Sequence, residues 1–348
     1  LFIVALCTDN TANSRTMKPF GAQIIRSGLR IPAAKIVYKA IVVIIPIFNR
    51  PEYGMLCLES LYSTPHGAEI APVVVDCGSR PKTVRLIQEW VDRYQTLAED
   101  VKKLIREPRI VHLCHSTANS FSRGINAGVR SVDKVEEEFV CFLHSDTVVF
   151  PGWLEGMVAA FEDEDVGVVL PRTNYANEMS PCDVDVRKQF EPIKPSNKDR
   201  IATEDINDLL KTLYGEDRLE FAKKIAEKSQ LSHAFSPEIS SFCMLTKGEY
   251  FLKYGRFDED FFQRGFEDKF WFRAMQRDGL VCMISNRSFV HHFGNITSDG
   301  PGFCWPDIAK VNEEKYKLKC LEADRLAGAG APNSVLHETE AREGEEKK

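Results

Sequence analysis

Short apolar runs alternate with amphipathic stretches between residues 40 and 170 of the chain. Four segments have apolar residues at helical spacing: YGMLCLESLY, KTVRLIQEWVDRYQTL, SRGINAGVRSV and GWLEGMVAAFEDE. Five runs rich in β-branched residues predict strands: IVVIIPIF (41–48), PVVVD (72–76), IVHLC (110–114), FVCFL (139–143) and VGVVL (166–170). The alternation predicts an α/β fold with a mixed, mainly parallel sheet flanked by helices, and the near-continuous hydrophobicity of the strands indicates burial on both faces.

A polar, charge-rich stretch at residues 174–238 interrupts this alternation. It contains one predicted helix, within DINDLLKTLYGEDRLEFAKKIAEK, and the α/β pattern resumes at ISSFCMLT. We therefore expect a single domain over residues 40–325 with a polar helical insertion. Residues 1–39 are expected to form an N-terminal extension, and the small and acidic residues of 326–348 predict a disordered tail.

Composition and charge exclude several classes of partner. The 348 residues carry a net charge of −6, so no overall basic field favours nucleic acid or an anionic membrane surface. The ten cysteines form no CxxC pair, which favours reduced thiols and a cytoplasmic protein, with peripheral membrane association left open. The apolar runs are shorter than the ~20 residues of a membrane span, so no integral membrane segment is expected.

The chain starts at Leu1 with the apolar run LFIVALC, which is followed directly by polar TDNTANS. A signal peptide carries a basic region before its apolar stretch, and no basic residue precedes this run. We therefore expect a truncated or processed start.

The strand FVCFL leads directly into His144, Ser145 and Asp146. Ligands of open α/β sheets bind at the carboxyl ends of the strands, so Asp146 is placed to hold a hard divalent cation. Such an ion would offset the charge of a pyrophosphate in an otherwise acidic protein. The alternative interpretation is that Asp146 only begins a turn or caps a helix at Gly152.

A series of motifs occurs in a fixed order between about residue 40 and residue 300. They are VVIIPIFNRPEYGMLCLESL, VVVDCGS, FSRGINAGV, HSD with FPGWLEGM, SSFCMLTKGEYFLKYGRFDEDFF, GFEDKFWFRAMQRDG and FVHHFGNIT. In this order the chain resembles the family 2 glycosyltransferases, which have the GT-A fold. Each motif is weak alone, and their shared order makes the resemblance specific.

The resemblance implies that a nucleotide-sugar donor binds along the first strands. Eight residues match the donor-binding motifs: Pro46, Asn49, Arg50, Asp76, Gly78, Ser79, Asn126 and Ser145. Pro46 and Asn49 would shape the loop against the base and ribose, and Asp76 would accept hydrogen bonds from the base. An ordinary strand-to-turn transition, in which Asp, Asn and Pro are common, is the alternative.

The same resemblance implies a divalent metal, Mn²⁺ or Mg²⁺, bound by Asp146. The family usually carries Asp or Asn at the position of His144, so one metal carboxylate is missing and a modest metal affinity is expected. His291 and His292 match a motif whose histidine contacts the metal or the diphosphate, and imidazole suits Mn²⁺ better than Mg²⁺. Neighbouring strand residues point to opposite faces, so only one of the two faces the ligand. The spacing to Gly294 favours His291, and the alternative is one packed and one solvated histidine.

The Glu267-Asp268 pair matches the catalytic motif of the family. Attack on an anomeric carbon requires the acceptor hydroxyl to lose its proton, and a carboxylate within hydrogen-bond reach accepts it. The resemblance assigns this role to Asp268 and assigns acceptor binding or orientation to Glu267. The alternative is an acidic first turn of a helix, where carboxylates are electrostatically favoured.

These expectations together describe a metal-dependent, inverting glycosyltransferase that moves a sugar from a nucleotide-sugar donor to a glycan, lipid-linked or protein acceptor in cell-surface polysaccharide or glycan synthesis. A non-catalytic descendant that binds a nucleotide sugar or glycan is the first alternative, suggested by His144 in place of a carboxylate. A nucleotidyltransferase is the second, but it would carry a Gly-rich basic loop after the first strand, and PIFNRPEYG lacks one.

Overall fold

The computed structural model describes residues 40–66, 68–114, 120–174, 208, 210–211, 214–215, 217–228, 233–236, 239–261, 263–294 and 305–328. The predicted N-terminal extension, most of the predicted insertion and the tail beyond residue 328 lie outside these ranges. The expectations for those segments therefore stay predictions.

The strands of the described residues form one mixed sheet. Their bounds are β1 Ile41–Ile47, β2 Ile70–Asp76, β3 Arg109–His112, β4 Phe139–Leu143, β5 Thr147–Val149, β6 Val166–Arg172, β7 His233–Ser236, β8 Cys243–Lys247 and β9 Val281–His292. Their order is β3-β2-β1-β4-β8-β6-β9-β5, and β7 also pairs with β9.

The helices cover the sheet and fill the connections. Their bounds are α1 Pro51–Ser63, α2 Pro81–Asp92, α3 Glu99–Lys102, α4 Phe121–Arg130, α5 Trp153–Val158, α6 Arg218–Lys228, α7 Glu249–Lys253, α8 Glu267–Arg277 and α9 Trp305–Gly328, with 3₁₀ turns at Arg93–Thr96, Val135–Glu137 and Ala159–Glu162. Proline at the first helical position starts α1 and α2, where its missing N–H costs nothing. The hydroxyl of Ser120 caps α4 by accepting from the Arg123 amide.

The predicted fold class is confirmed: the sheet is mixed, with parallel pairs β1–β2, β1–β4, β2–β3 and β6–β9 and antiparallel pairs elsewhere. All five predicted strands are present, as β1 to β4 and β6. The register places Ile47 opposite Asp76 and Asp76 opposite His112. Because parallel strands end at the same edge of a sheet, the polar residues after β1 to β4 meet along one edge.

One glycine of the FSRGINAGV motif has a packing role. A Cβ on Gly128 would lie 2.5 Å from Cγ2 of Ile44, inside any real van der Waals contact. The missing side chain therefore lets α4 lie close against β1, whose residues are buried on both faces.

Strand β9 is irregular in its middle. Pro171 of β6 pairs with Ser285, but the next residue, Arg172, pairs with Phe289, so residues 286–288 form a bulge. Helix α5 approaches this bulge through Gly156, where a Cβ would lie 2.5 Å from the hydroxyl oxygen of Ser288. The bulge separates the part of β9 that pairs with β7 from the part that pairs with β5.

Two smaller apolar clusters lie outside the main core. The insertion cluster contains Tyr53, Leu56, Val148, Phe150, Leu210, Tyr214, Ala222, Phe289 and Phe293. The C-terminal cluster contains Phe261, Phe270, Cys320 and Ala323, with Phe266 and Tyr316 packed against it. The first cluster attaches the described part of the insertion, including α6, to β5 and β9, and the second attaches α9 to α8. Among the described residues, the helices are too short or too polar to cross a bilayer.

Candidate active site

The loop after β1 and the turn after β2 are joined by hydrogen bonds that centre on Ser79. The Ser79 amide donates to Oδ1 of Asp76 at 2.9 Å, and its hydroxyl accepts from the Asn49 amide at 2.9 Å. Oδ1 of Asn49 in turn accepts from the Arg80 amide at 3.0 Å. Two separate motifs therefore form one polar edge, as expected for the site of a ligand at the carboxyl ends of parallel strands.

The backbone of this edge is held in the left-handed region. Asn49 and Arg50 have φ angles of 53° and 45°, and Gly78 has a φ of 83°. Pro46, half-buried at the end of β1, packs near α4, where a Cβ on Gly124 would lie 3.1 Å from it. Left-handed non-glycine residues are uncommon and cluster at functional sites, which agrees with a ligand-binding role for this edge. The structure thus brings six of the eight predicted donor-binding residues together.

His112 lies at the same edge, although the motifs did not indicate it. Its Nδ1 is 3.3 Å from Oδ2 of Asp76, and its side chain is 50% exposed. The contact follows from the register of β2 and β3, which sets the two residues opposite each other. Only the pairing of the strands reveals this neighbour of Asp76.

Asn126 is the first correction, because its side chain is occupied by the protein. It is 1% exposed, and its Nδ2 donates to the Phe257 carbonyl at 2.7 Å and to Oε1 of Glu259 at 2.9 Å. Its Oδ1 accepts from the Phe257 amide at 3.1 Å. Asn126 therefore fixes the segment after α7 against α4, rather than contacting a donor as predicted.

Asp146, His144 and His292 form a cluster suited to a metal ion. Each offers one ligand atom, and these atoms all lie within 4.8 Å of one another. Oδ1 of Asp146 is 3.4 Å from Nε2 of His292 and 3.7 Å from Nδ1 of His144. Ser145, the residue between His144 and Asp146, is buried. The cluster forms because β5 pairs with β9, with Thr147 opposite His292.

Burial and mutual charge set the protonation states of this cluster. Burial raises the pKa of Asp146, but His292, His144 and Arg264 together lower it more, so it lies below its ordinary value. The pKa of His144 is lowered to about 3, chiefly by burial, while Asp146 opposes the shift. At neutral pH Asp146 is therefore ionised and His144 neutral, which are the forms that bind cations.

The second correction concerns which of the two neighbouring histidines faces the cluster. The sequence favoured His291, but its Nδ1 hydrogen-bonds the hydroxyl of Tyr214 at 2.7 Å, on the side of the insertion cluster. Burial lowers the pKa of His291 to about 3, so this ring is neutral. The alternation of side chains along β9 sends His292 to the other face, toward Asp146.

The backbone and ring of His292 are held on several sides. The Asn174 side chain accepts from the His292 amide at 2.8 Å and donates to its carbonyl at 3.1 Å. The Phe242 ring stacks on the imidazole, with ring centroids 5.0 Å apart. Asn174 stands at the start of the predicted insertion and Phe242 in SSFCMLT, and neither position carries a signal that sequence reasoning could have used.

The Glu267-Asp268 pair begins α8 and is buried. Asp268 accepts from the Ser241 amide at 3.1 Å through Oδ2 and from the Lys269 amide at 2.8 Å through Oδ1. Among the residues that the structure describes, Oε2 of Glu267 is buried without a hydrogen-bond partner. Ser241 directly precedes Phe242, so two consecutive residues contact Asp268 and His292.

The two carboxyl groups differ in their protonation. The pKa of Glu267 is raised to about 8, first by burial and then by the charge of Asp268. Burial also raises the pKa of Asp268, but its two backbone hydrogen bonds oppose the shift. Of two adjacent carboxyl groups only one ionises readily, and the hydrogen bonds favour Asp268 as that one.

Arg264 is a further charged residue that the motifs did not indicate. Burial is the largest influence on the pKa values of His144, Asp146 and Glu267, and Arg264 is among the charges that lower all three. Its positive charge therefore acts on both the metal cluster and the carboxyl pair. An arginine at such a position can stabilise a phosphate group.

Comparison with known proteins identifies one matching family and several similar structures. Residues 42–209 match the family described as Glycosyl transferase family 2. This range includes the polar edge and Asp146, and it ends before the carboxyl pair and His292. Among curated proteins, none matches the sequence.

Several solved structures are similar in fold. Staphylococcus aureus TarS has a TM-score of 0.47 and 16% identity, covering 86% of this chain and 41% of TarS. TarS 1-349 of S. aureus in complex with UDP has a TM-score of 0.47 and 15% identity, covering 86% of this chain and 68% of that one. GalNAc-T7 with UDP, GalNAc and Mn²⁺ has a TM-score of 0.47 and 13% identity, covering 74% of this chain and 44% of that one. The chain thus spans about two fifths of the length of the TarS structure.

Proposed function

We propose that this chain, whose residues 42–209 match glycosyl transferase family 2, is a metal-dependent enzyme that moves a sugar from a nucleotide-sugar donor to an acceptor hydroxyl. The family predicted from the motifs is thereby confirmed, and the reaction course proposed here is a single displacement with inversion. One observation carries the proposal. Consecutive residues Ser241 and Phe242 contact Asp268 and His292, which brings a candidate base next to a candidate metal ligand.

The residues of the cluster fit a divalent cation. The ligand atoms of the three residues lie within 4.8 Å of one another, with Nδ1 of His144 3.7 Å from Oδ1 of Asp146. His144, Asp146 and His292 would hold the ion, and two imidazoles with one carboxylate favour Mn²⁺ over Mg²⁺. A cation bound there supplies charge that stabilises the leaving nucleoside diphosphate.

Protein side chains bind the nucleotide, accept the proton and bind the acceptor. Asp76 and the loop at Asn49 hold the nucleotide at the polar edge, with His112 beside Asp76. Asp268, ionised and fixed by two backbone amides, accepts the acceptor proton as the hydroxyl oxygen attacks the anomeric carbon. Glu267, protonated at neutral pH, donates a hydrogen bond to the acceptor through Oε2, which has no partner within the described part of the chain.

The acceptor proposed is a hydroxyl of a glycan, a lipid-linked sugar or a protein, in the synthesis of cell-surface polysaccharide or glycan. These classes come from the family resemblance. The cytoplasmic location expected from the sequence likewise stays a prediction.

A transfer assay with Asp268→Asn tests the proposal. Nucleotide sugars are first screened for consumption in the presence of Mn²⁺, and the one consumed is used with both proteins. The variant keeps the size of the side chain but cannot accept the proton, so turnover should fall by about 10²–10⁴-fold while donor affinity stays unchanged.

The matched control is Asp307→Asn, which removes an exposed acid from the first turn of α9. It should leave turnover unchanged. Full turnover in Asp268→Asn would show that the acidic pair is only a helix start. Tight donor binding by a parent chain that consumes no donor would favour the non-catalytic alternative.

A further inference from the structure

The loop that leads into the carboxyl pair has an unusual backbone. Gln263, Gly265 and Phe266 have φ angles of 56°, 99° and 74°. Two of these residues are not glycines, and left-handed conformations of such residues persist only where surrounding contacts impose them. The direction in which Glu267 and Asp268 enter α8 therefore depends on what holds this loop.

Contacts from two distant parts of the chain hold the loop. The Gln263 carbonyl accepts from the Phe121 amide, at the start of α4, at 2.7 Å. The Arg264 carbonyl accepts from Nδ2 of Asn312 at 2.8 Å. On the same side as Asn312, the Phe266 ring lies 5.4 Å from the ring of Tyr316. Helix α9 therefore supplies two of these contacts.

Asn312 is the most specific of the α9 contacts. Its side chain is completely buried, in a helix that is otherwise largely exposed on its outer face. Burying an amide is costly unless it forms hydrogen bonds, so its presence here requires a polar partner. Its Nδ2 donates to the carbonyl of Arg264, the residue whose charge acts on both halves of the site.

Other contacts dock α9 onto the same segment. Lys319 forms ion pairs with Asp258 at 3.0 Å and with Asp260 at 3.1 Å. Further along the helix, Asp324 pairs with Arg277 at 2.6 Å and with Arg273 at 2.8 Å. Ion pairs thus fix the middle of the helix through Lys319 and its last part through Asp324, while Asn312, nearer its start, contacts the loop.

We propose that Asn312 is a positioning residue for glycosyl transfer, which holds the loop 263–266 and with it Arg264 and the start of α8, where the carboxyl pair lies. This inference rests on the proposed function. It adds helix α9, which lies beyond the family match at residues 42–209, to the parts of the chain that the transfer reaction requires.

Asn312→Asp tests the inference, because the side chain keeps its shape but, when ionised, has no proton to donate and repels the Arg264 carbonyl. Turnover should fall by about 10–100-fold, since a displacement of about 1 Å in a catalytic group costs up to 10² in rate. Affinity for the nucleotide, measured by calorimetry, should stay within twofold because the polar edge is untouched. At acidic pH the new carboxyl is protonated and can donate again, so the ratio of variant to parent turnover should rise.

The matched control is Asp324→Asn, which weakens the docking of the same helix at the other end. It should lower the melting temperature without lowering turnover. Equal losses of turnover in both variants would overturn the inference, because α9 would then act only as general support. Unchanged turnover in Asn312→Asp would also overturn the inference. If Asn312→Asp does not fold, Asn312→Ser is tested in its place.

Hydrogen exchange gives a readout that does not depend on transfer. Amides 263–268 should exchange faster in Asn312→Asp than in the parent, and at the parent rate in Asp324→Asn. Faster exchange in a chain that transfers no sugar would place the failure in the proposed function. Unchanged exchange in Asn312→Asp would overturn the positioning role, whatever the activity.

Discussion

Nε2 of His292 lies 3.4 Å from Oδ1 of Asp146, whereas the neighbouring His291 hydrogen-bonds Tyr214 on the opposite side of β9. The side chains of two adjacent histidines in one motif thus lie in two different environments. One faces a candidate cation site and the other anchors an aromatic cluster, which allows the two roles to be separated by matched substitutions.

His292→Phe should abolish the effect of Mn²⁺ on nucleotide affinity, as should Asp146→Ala, because each removes a metal ligand. His291→Phe should keep the Mn²⁺ effect but lower stability by about 1–3 kcal/mol, since the buried Tyr214 hydroxyl loses its partner. Calorimetry with and without Mn²⁺, together with thermal unfolding, measures both. A Mn²⁺ effect that is lost in His291→Phe and kept in His292→Phe would reverse the assignment.

His144→Asp should shift the metal preference toward Mg²⁺. The change replaces an imidazole with a hard oxygen ligand at a position within reach of Asp146. The ratio of turnover with Mg²⁺ to turnover with Mn²⁺ is the measurement, and it should rise. An unaltered ratio would mean that His144 does not bind the ion.

Glu267→Gln should remove the alkaline limb of the pH profile. The pKa of Glu267 is raised to about 8, so the parent loses the proposed hydrogen-bond donor above that pH, while glutamine keeps an N–H at every pH. Turnover of the parent should fall above about pH 8, and that of the variant should not. An alkaline limb of the same midpoint in both proteins would assign it to another group.

The same group affects stability with a definite sign. A carboxyl whose folded pKa lies above its ordinary value of 4.5 holds a proton that the unfolded chain releases. Its contribution therefore makes the parent less stable as the pH rises from about 4.5 to 8. The melting temperature of Glu267→Gln should decline less over that range.

Asn126→Ala should cost stability rather than donor affinity. It removes three hydrogen bonds and leaves buried polar groups of Phe257 without their partner, a loss of roughly 2–4 kcal/mol. Ser131→Ala, which removes one bond at the end of the same helix, should cost about 1 kcal/mol. A fall in nucleotide affinity with unchanged stability would restore the predicted donor contact.

The strands of the first half of the domain were predictable because each is a continuous apolar run buried on both faces. Strand β5, which places Asp146 against His292, has only three residues and begins directly after the HSD motif. Its pairing with β9 depends on the tertiary fold, so the sequence could not show which histidine faces the cluster.

The site residues divide in the same way. The positions of Asp76, Ser79 and Asp146 were predictable because each lies at or just after the end of a strand that the pattern identifies. Asn126 was assigned to the donor because an asparagine in a motif looks the same whether it contacts a ligand or the protein. Arg264 and Asn312 carry no local signal, since their positions follow from the docking of α9.

The length of the bulge at residues 286–288 determines which histidine faces Asp146. Side chains alternate along β9, so the number of residues between the β7 and β5 pairings decides which face each histidine occupies. Deletion of one residue from the bulge would exchange the faces of β9 on which the side chains of His291 and His292 lie. The chain would still contain every candidate ligand and catalytic group, yet the ring that faces Asp146 would be that of His291, the residue that hydrogen-bonds Tyr214 in the parent.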